Sequence, residues 1–225
     1  MTETTEPEEA QTFYGRWARL YDLLARKTPG IAGFRRQVAR ACDLEPGDTV
    51  VEMGCGTGAN LPLLRERVGS TGTVVGLDFT GPVLERARRL TAEWDNVHVL
   101  RADATQPPIA GPVDAVLATF VVGMLEDPAG AVDDWCDRVE PGGRVVLGNA
   151  ARSRRWYAPV ANVPLWAVTV LSTPPTTRIR YERNPLDRLD EKIHAAHTRL
   201  RVRADARYED TRALGAVHVT GARLD

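Results

Sequence analysis

The chain has 225 residues and a mass of 24.7 kDa, which suits one α/β domain with a well-buried core. Its 29 basic and 30 acidic residues give a net charge of −1, so no global field draws it to nucleic acid, and no nucleic-acid partner is expected. Cys42, Cys55 and Cys136 are odd in number, far apart and without a Cys-x-x-Cys pair, which speaks against a disulfide framework and structural zinc and for a reducing, cytoplasmic setting.

The chain opens with the acidic, polar stretch Met1 to Glu9, read as the disordered tail 1–10 rather than a signal peptide. Residues 11–225 are read as a single domain. Its first part, 11–44, is helical. Phe13, Trp17, Leu20, Tyr21 and Leu24 recur at helical spacing, and so do Phe34, Val38 and Ala41 in the stretch Ile31 to Cys42. Pro29-Gly30 separates the two helices.

A nucleotide-binding core is expected over 45–150. A short apolar strand beginning at Val50 ends in the acid Glu52; Gly54, Gly56 and Gly58 follow on alternate positions, after which a helix begins. Glycines at a strand-to-helix turn let the backbone bend tightly and approach a ligand closely. The spacing Gly54-x-Gly56-x-x-Ala59 also satisfies a relaxed dinucleotide fingerprint. The next strand, Val74 to Asp78, ends in an acid 20 residues after Gly58, where a carboxylate can accept hydrogen bonds from both hydroxyls of a ribose. A third strand, Val97 to Leu100, is closed by Arg101-Ala102-Asp103-Ala104, placing another acid where it could meet the amine of an adenine. Val113 to Leu117 is the fourth strand. Asp127 to Val139 is a helix, and Glu140 to Gly143 is a turn into the strand Arg144 to Leu147.

The remainder is less regular. Residues 156 to 177 contain no charge, yet Pro159, Asn162, Pro164, Pro174 and Pro175 interrupt them, so they do not read as a membrane span. Arg152, Arg154 and Arg155 precede this stretch; Arg178, Arg180 and Arg183 follow it. An apolar segment with Trp156 and Trp166 between arginines suits either a lid, a dimer contact or a peripheral contact with anionic lipid. Asp187 to Arg201 reads as a helix. Arg203 to Tyr208 and Ala216 to Leu224 read as a hairpin, giving an insertion over 151–202, which the resemblance described next would place on the acceptor side, and a C-terminal hairpin over 203–225. Glu191, His194 and His197 sit three apart on the helix. Further ligands for a metal are missing, a general base is an alternative, and two exposed histidines are the plain reading.

The series Glu52-Met-Gly-Cys-Gly-Thr-Gly58, Gly76-Leu-Asp78, Ala102-Asp-Ala104 and Pro141-Gly-Gly-Arg-Val-Val-Leu147 resembles the class I S-adenosylmethionine-dependent methyltransferases, distantly those acting on ubiquinone and menaquinone. The resemblance implies a Rossmann-like doubly wound sheet, mostly parallel, with a C-terminal antiparallel hairpin. It implies S-adenosyl-L-methionine as cofactor, held by Gly54, Cys55, Gly56 and Gly58 under the methionine and sugar. Asp78 would hold the ribose and Phe79 would pack by the adenine. Asp103 and Ala104 would meet the adenine edge, and Thr119 the methionine end. Phe13 to Asp22 is similar to the Ala-x-x-Tyr-Asp helix that closes over the cofactor in such families, which gives Tyr21 that role. The acceptor is expected to be small and hydrophobic, a quinone or lipid-like molecule. Ala118-Thr-Phe-Val-Val122 is unlike the Asn-Pro-Pro-Tyr type of motif for nucleic-acid bases. In-line methyl transfer depends mainly on proximity, and no catalytic residue stands out. The alternatives are a non-catalytic binder of the cofactor or its demethylated product, and a nicotinamide-dependent oxidoreductase.

Overall fold

The computed structural model describes residues 30–150, 185–212 and 217–225. Tyr21, its helix and the uncharged stretch 156–177 lie outside the described residues. Among those described, the elements run α1 (Ile31–Ala41), β1 (Thr49–Met53), α2 (Leu61–Val68), β2 (Thr73–Asp78), α3 (Gly81–Leu90), β3 (Val97–Arg101), β4 (Val113–Thr119), α4 (Pro128–Cys136), β5 (Val139–Ala150), α5 (Pro185–Arg203), β6 (Ala206–Arg212) and β7 (Val217–Arg223). The strands form one seven-stranded sheet in the order β3-β2-β1-β4-β5-β7-β6. β1 to β5 are parallel; β7 is antiparallel to both β5 and β6. The doubly wound architecture and the antiparallel hairpin expected from the sequence are both present.

The two-sided burial of a parallel sheet explains its composition. Val50, Val74, Ala115, Leu117 and Val146 face one cluster, closed by Phe34 and Val38 of α1, Leu61 and Leu64 of α2, and Leu84 and Ala87 of α3. Val51, Leu77, Val116, Val145 and Leu147 face the other, closed by Trp135 of α4 and by Ile193, Ala196 and Leu200 of α5. Asp127 caps α4 by accepting from the Gly130 N–H at 2.9 Å. Arg199 and Arg203 of α5 both reach Asp133 of α4, so the two helices are also joined by charge.

Three readings of the sequence change. The helix expected over Asp127 to Val139 ends at Cys136, because Val139 already pairs with Val113 in the sheet. Glu140 to Gly143 is not a separate turn before the fifth strand. These residues lie within β5 as an irregularity, with Val113 opposite Val139 and Ala115 opposite Arg144. Gly142, at φ +90°, permits the kink and donates to the Leu224 carbonyl. The hairpin begins later than read: α5 continues to Arg203, and the first hairpin strand is Ala206–Arg212.

Candidate active site

β1 has β2 on one side and β4 on the other, so the chain reverses direction across the sheet at β1 and β4. A crevice opens at the carboxyl ends of such strands. The glycine turn leaves β1 at this point. Gly54, Gly56 and Gly58 have φ of +68°, +55° and +78°, a region that L side chains rarely adopt. Each glycine has its own reason. A Cβ on Gly54 would lie 2.7 Å from Val121 Cγ2, so β4's exit could not pass as closely. A Cβ on Gly58 would lie 3.0 Å from Ala87 Cβ, so α3 could not close on the turn. A Cβ on Gly56 would meet nothing within 4 Å and would project into the open crevice.

The crevice is lined by Arg35, Glu52, Gly54, Cys55, Gly56, Asp78, Phe79, Thr119, Phe120 and Met124, with Thr57, Ala59, Thr80 and Val83 completing the wall. Thus Gly54, Cys55, Gly56, Asp78, Phe79 and Thr119 of the predicted set come together. Gly58 lies beneath them as a packing residue. Asp103 and Ala104 sit just past β3 and do not line this crevice. The Asp103 carboxylate accepts from the backbone N–H and hydroxyl of Thr105, each at 2.8 Å, and the Ala104 carbonyl accepts from Trp135 Nε1 at 2.7 Å.

Asp78 organises the β2 end of the crevice. One carboxylate oxygen accepts from Gly56 N–H at 3.0 Å, the other from Thr80 N–H at 2.8 Å. Burial raises its pKa, and these two backbone donors oppose the rise. The acid therefore braces the glycine turn while presenting acceptor oxygens to the crevice.

The opposite end holds a network that spacing does not reveal. Glu52 is 1% exposed. Its Oε1 accepts from Asn60 Nδ2 at 2.5 Å, and Thr119 Oγ1 lies 3.4 Å away. Arg35 Nη1 in turn donates to Asn60 Oδ1 at 2.8 Å. Burial pushes the Glu52 carboxyl up to about 7, against the pull of the Asn60 hydrogen bond and the Arg35 charge. Among the described residues Glu52 Oε2 has no hydrogen-bond partner, and it is buried. A buried carboxylate oxygen of this kind is costly to leave unsatisfied, and it lines a crevice from which a cationic donor could approach.

The rim is apolar. Met124 is 50% and Phe79 41% exposed. Phe120 has φ +59°, a strained value for a bulky residue, and its ring lies 5.0 Å from that of Phe34. Its N–H donates to the Gly148 carbonyl of β5, which holds the strained residue in place.

Sequence reasoning missed Arg35, Asn60, Phe120 and Met124. Glu52 was noticed as a strand-end acid but not placed at the site. His197 also needs correction. It is 4% exposed, not a surface residue, with Nδ1 2.7 Å from Thr220 Oγ1 and Nε2 3.1 Å from Asn149 Nδ2. Burial lowers its pKa to about 3, so it is neutral and structural here. His194 is exposed as expected. Among the described residues no group of metal-ligating side chains comes together, and no helix is long and apolar enough to cross a membrane.

Residues 50–143 match the family described as a methyltransferase domain. The chain is 30% identical to aklanonic acid methyltransferase DauC of Streptomyces sp. (strain C5) over 153 residues, covering 65% of this chain and 67% of that protein. It is 32% identical to demethylmenaquinone methyltransferase of Staphylococcus aureus (strain MRSA252), over 50% of this chain and 47% of that one. Several other curated relatives are matched over about half of their length or less. The fold is shared with an S-adenosylmethionine-dependent methyltransferase from Aquifex aeolicus, at a TM-score of 0.65 and 16% identity, covering 94% of this chain and 98% of that one.

Proposed function

This chain belongs to the S-adenosylmethionine-dependent methyltransferases, and from that premise we propose that it transfers a methyl group from S-adenosyl-L-methionine to a small, hydrophobic, quinone-like or polyketide-like acceptor. The observation that carries the reading is the crevice between the ends of β1 and β4, where the glycine turn, Asp78 and Glu52 converge. The residues present fit the cofactor. Gly56 leaves open the space that a side chain would fill, and Asp78 offers ribose acceptors. The unpartnered Oε2 of Glu52 and the guanidinium of Arg35 offer complementary charges to an amino-acid end.

When bound, the cofactor supplies an activated methyl group on a sulfonium. The protein's part is to position. Gly54, Cys55 and Gly56 hold the backbone wall, Asp78 fixes the sugar, and Phe79 offers a face to the base. Asp103 and Ala104 stand at the neighbouring strand end as the adenine edge, and Thr119 holds Glu52 at the methionine end. Phe120 and Met124 give the acceptor an apolar wall that excludes water, in keeping with the named substrates of the similar proteins. Positioning of this kind can be worth up to about 7–11 kcal/mol. Tyr21 and segment 156–177 lie outside the described residues; a peripheral membrane role for the segment is read by liposome flotation with and without anionic lipid.

The test is thermal unfolding with S-adenosylhomocysteine and, separately, NADH. At about 100 times its dissociation constant a ligand stabilises by about 2.7 kcal/mol. S-adenosylhomocysteine should raise the midpoint, and Asp78→Ala should abolish the rise. Protection by NADH alone would overturn the assignment. Protection without turnover on a quinone and polyketide panel would leave a binder rather than an enzyme.

A further inference from the structure

A second concavity lies at the other end of the sheet. It is a groove of about 560 Å3 between α1 and the edge formed by β5, β7 and β6, lined by Arg36, Gln37, Arg40, Asp43, Arg144 and Tyr208, with Gly33 and Ala41. Arg144 pairs in register with Ala115, whereas the crevice begins at Thr119. Four strand residues separate them, about 13 Å at ~3.3 Å per residue. The groove is therefore not an extension of the crevice.

Its charge is unbalanced. Arg36 and Arg40 are one helical turn apart on α1, share a face and are exposed. Among the described residues neither has an ion-pair partner. Arg144 pairs with Asp43, the single acid of the lining. Three guanidiniums thus line the groove with Asp43 as the one acid of the lining, while the Asp210 carboxylate is bound to Gln37 of the floor. Helices α1, α2 and α3 share this side of the sheet, and they carry eight arginines (35, 36, 40, 65, 67, 86, 88, 89) against Glu66 and Glu85. The near-neutral whole chain hides this local excess.

The floor is also fixed. Gln37 is buried, and its Nε2 donates to Tyr208 Oη at 3.1 Å and to Asp210 Oδ2 at 2.5 Å. These bonds tie α1 to β6, so the arginines project from a rigid junction. Two guanidinium forks without an ion-pair partner among the described residues, beside a third, suit a tetrahedral dianion, because each fork can give two parallel hydrogen bonds to its oxygens.

We propose that this groove binds a phosphate group, borne either by a soluble phosphate ester or by a lipid headgroup. It is a site separate from the methyl-transfer crevice, held by Arg36, Arg40 and Arg144.

The experiment is calorimetric titration of the full chain with inorganic pyrophosphate, paired with flotation on phosphatidylcholine vesicles with and without phosphatidylglycerol. The double variant Arg36→Gln/Arg40→Gln is compared with Arg88→Gln/Arg89→Gln, which removes the same charge from α3. Arginine side-chain NMR on the unmodified chain gives a reading that needs no variant. Loss of two charge-assisted contacts should weaken binding by about tenfold or more, the α3 pair should leave it unchanged, and the Arg36, Arg40 and Arg144 resonances should shift. Pyrophosphate binding identifies a soluble ester. Binding only to phosphatidylglycerol vesicles, lost in the α1 variant, identifies a headgroup. No binding in either arm, or equal loss in both double variants, overturns the site in favour of a diffuse basic field.

Discussion

Gly54 and Gly56 separate the structural from the ligand-binding duty of one turn, and alanine at each should fail differently. A Cβ on Gly54 would sit 2.7 Å from Val121 Cγ2 and 2.9 Å from Val121 Cβ. Because the Cβ itself is in the way, rotating the valine does not relieve the overlap. Val121 is buried at the exit of β4, so the backbone must move. The left-handed φ costs about 1–2 kcal/mol for a residue with a side chain, and overpacking costs about 1–3 kcal/mol more. Gly54→Ala should therefore destabilise by about 2–5 kcal/mol, a large share of the ~5–15 kcal/mol of an ordinary domain. Gly56→Ala meets nothing within 4 Å and should pay only the conformational cost, about 1–2 kcal/mol. Its new methyl group projects into the crevice, so it should lose affinity for S-adenosylhomocysteine. The assay is urea unfolding of both variants, with calorimetric titration of S-adenosylhomocysteine alongside. A Gly54→Ala protein as stable as wild type, or less damaged than Gly56→Ala, would refute the reasoning.

The buried acid and the buried imidazole should pull stability in opposite directions with pH. Glu52 rises from 4.5 to about 7 on folding, so the folded state holds a proton that the unfolded state releases, and stability falls as pH rises through that window. Glu52→Gln should remove this decline in urea midpoints measured from pH 4.5 to 7; a decline that persists would assign it elsewhere. His197 drops from 6.5 to about 3, so its contribution is complete above 6.5 and is lost as pH falls below it. His197→Gln should flatten the acid side of the same profile, and an unchanged acid limb would sink the assignment. Trp135→Phe leaves the Ala104 carbonyl without its 2.7 Å donor and should cost about 1–3 kcal/mol, read by thermal or urea unfolding. Arg199→Ala, by contrast, cuts a half-exposed pair with Asp133 and should cost no more than about 1 kcal/mol.

The glycine turn, the acids at strand ends and the alternation of strands with helices were legible because each is written in consecutive residues. The crevice wall made of Gly54, Gly56 and Asp78 was legible for the same reason, since a strand-end acid about 20 residues after a glycine turn has a fixed place in a doubly wound sheet. Arg35 was not legible. It meets Asn60 25 residues away, and an arginine on an amphipathic helix looks the same in sequence whether it faces water or a crevice. His197 was misread because α5 lies under β5 and β7, and only the sheet order shows that Asn149 and Thr220 wait there for an imidazole. Glu140 to Gly143 carry ordinary turn residues. Their inclusion in β5 follows from the pairing of Val139 with Val113, a contact that no local pattern announces.

The order β5-β7-β6 sets a constraint on how the chain can be made. β6 is synthesised before β7, yet among the described residues β7 alone is its neighbour in the sheet. On the ribosome, β6 must therefore emerge with no strand to join until Val217–Arg223 follow. Its composition suits the delay. Arg207, Glu209 and Asp210 put charges of both signs along the strand, and most of its described residues stay exposed even in the finished fold. Charges of this kind discourage a bare edge from pairing with another chain. The same residues that make β6 a quiet border of the mature sheet would keep the nascent chain from aggregating while its partner strand is still being delivered.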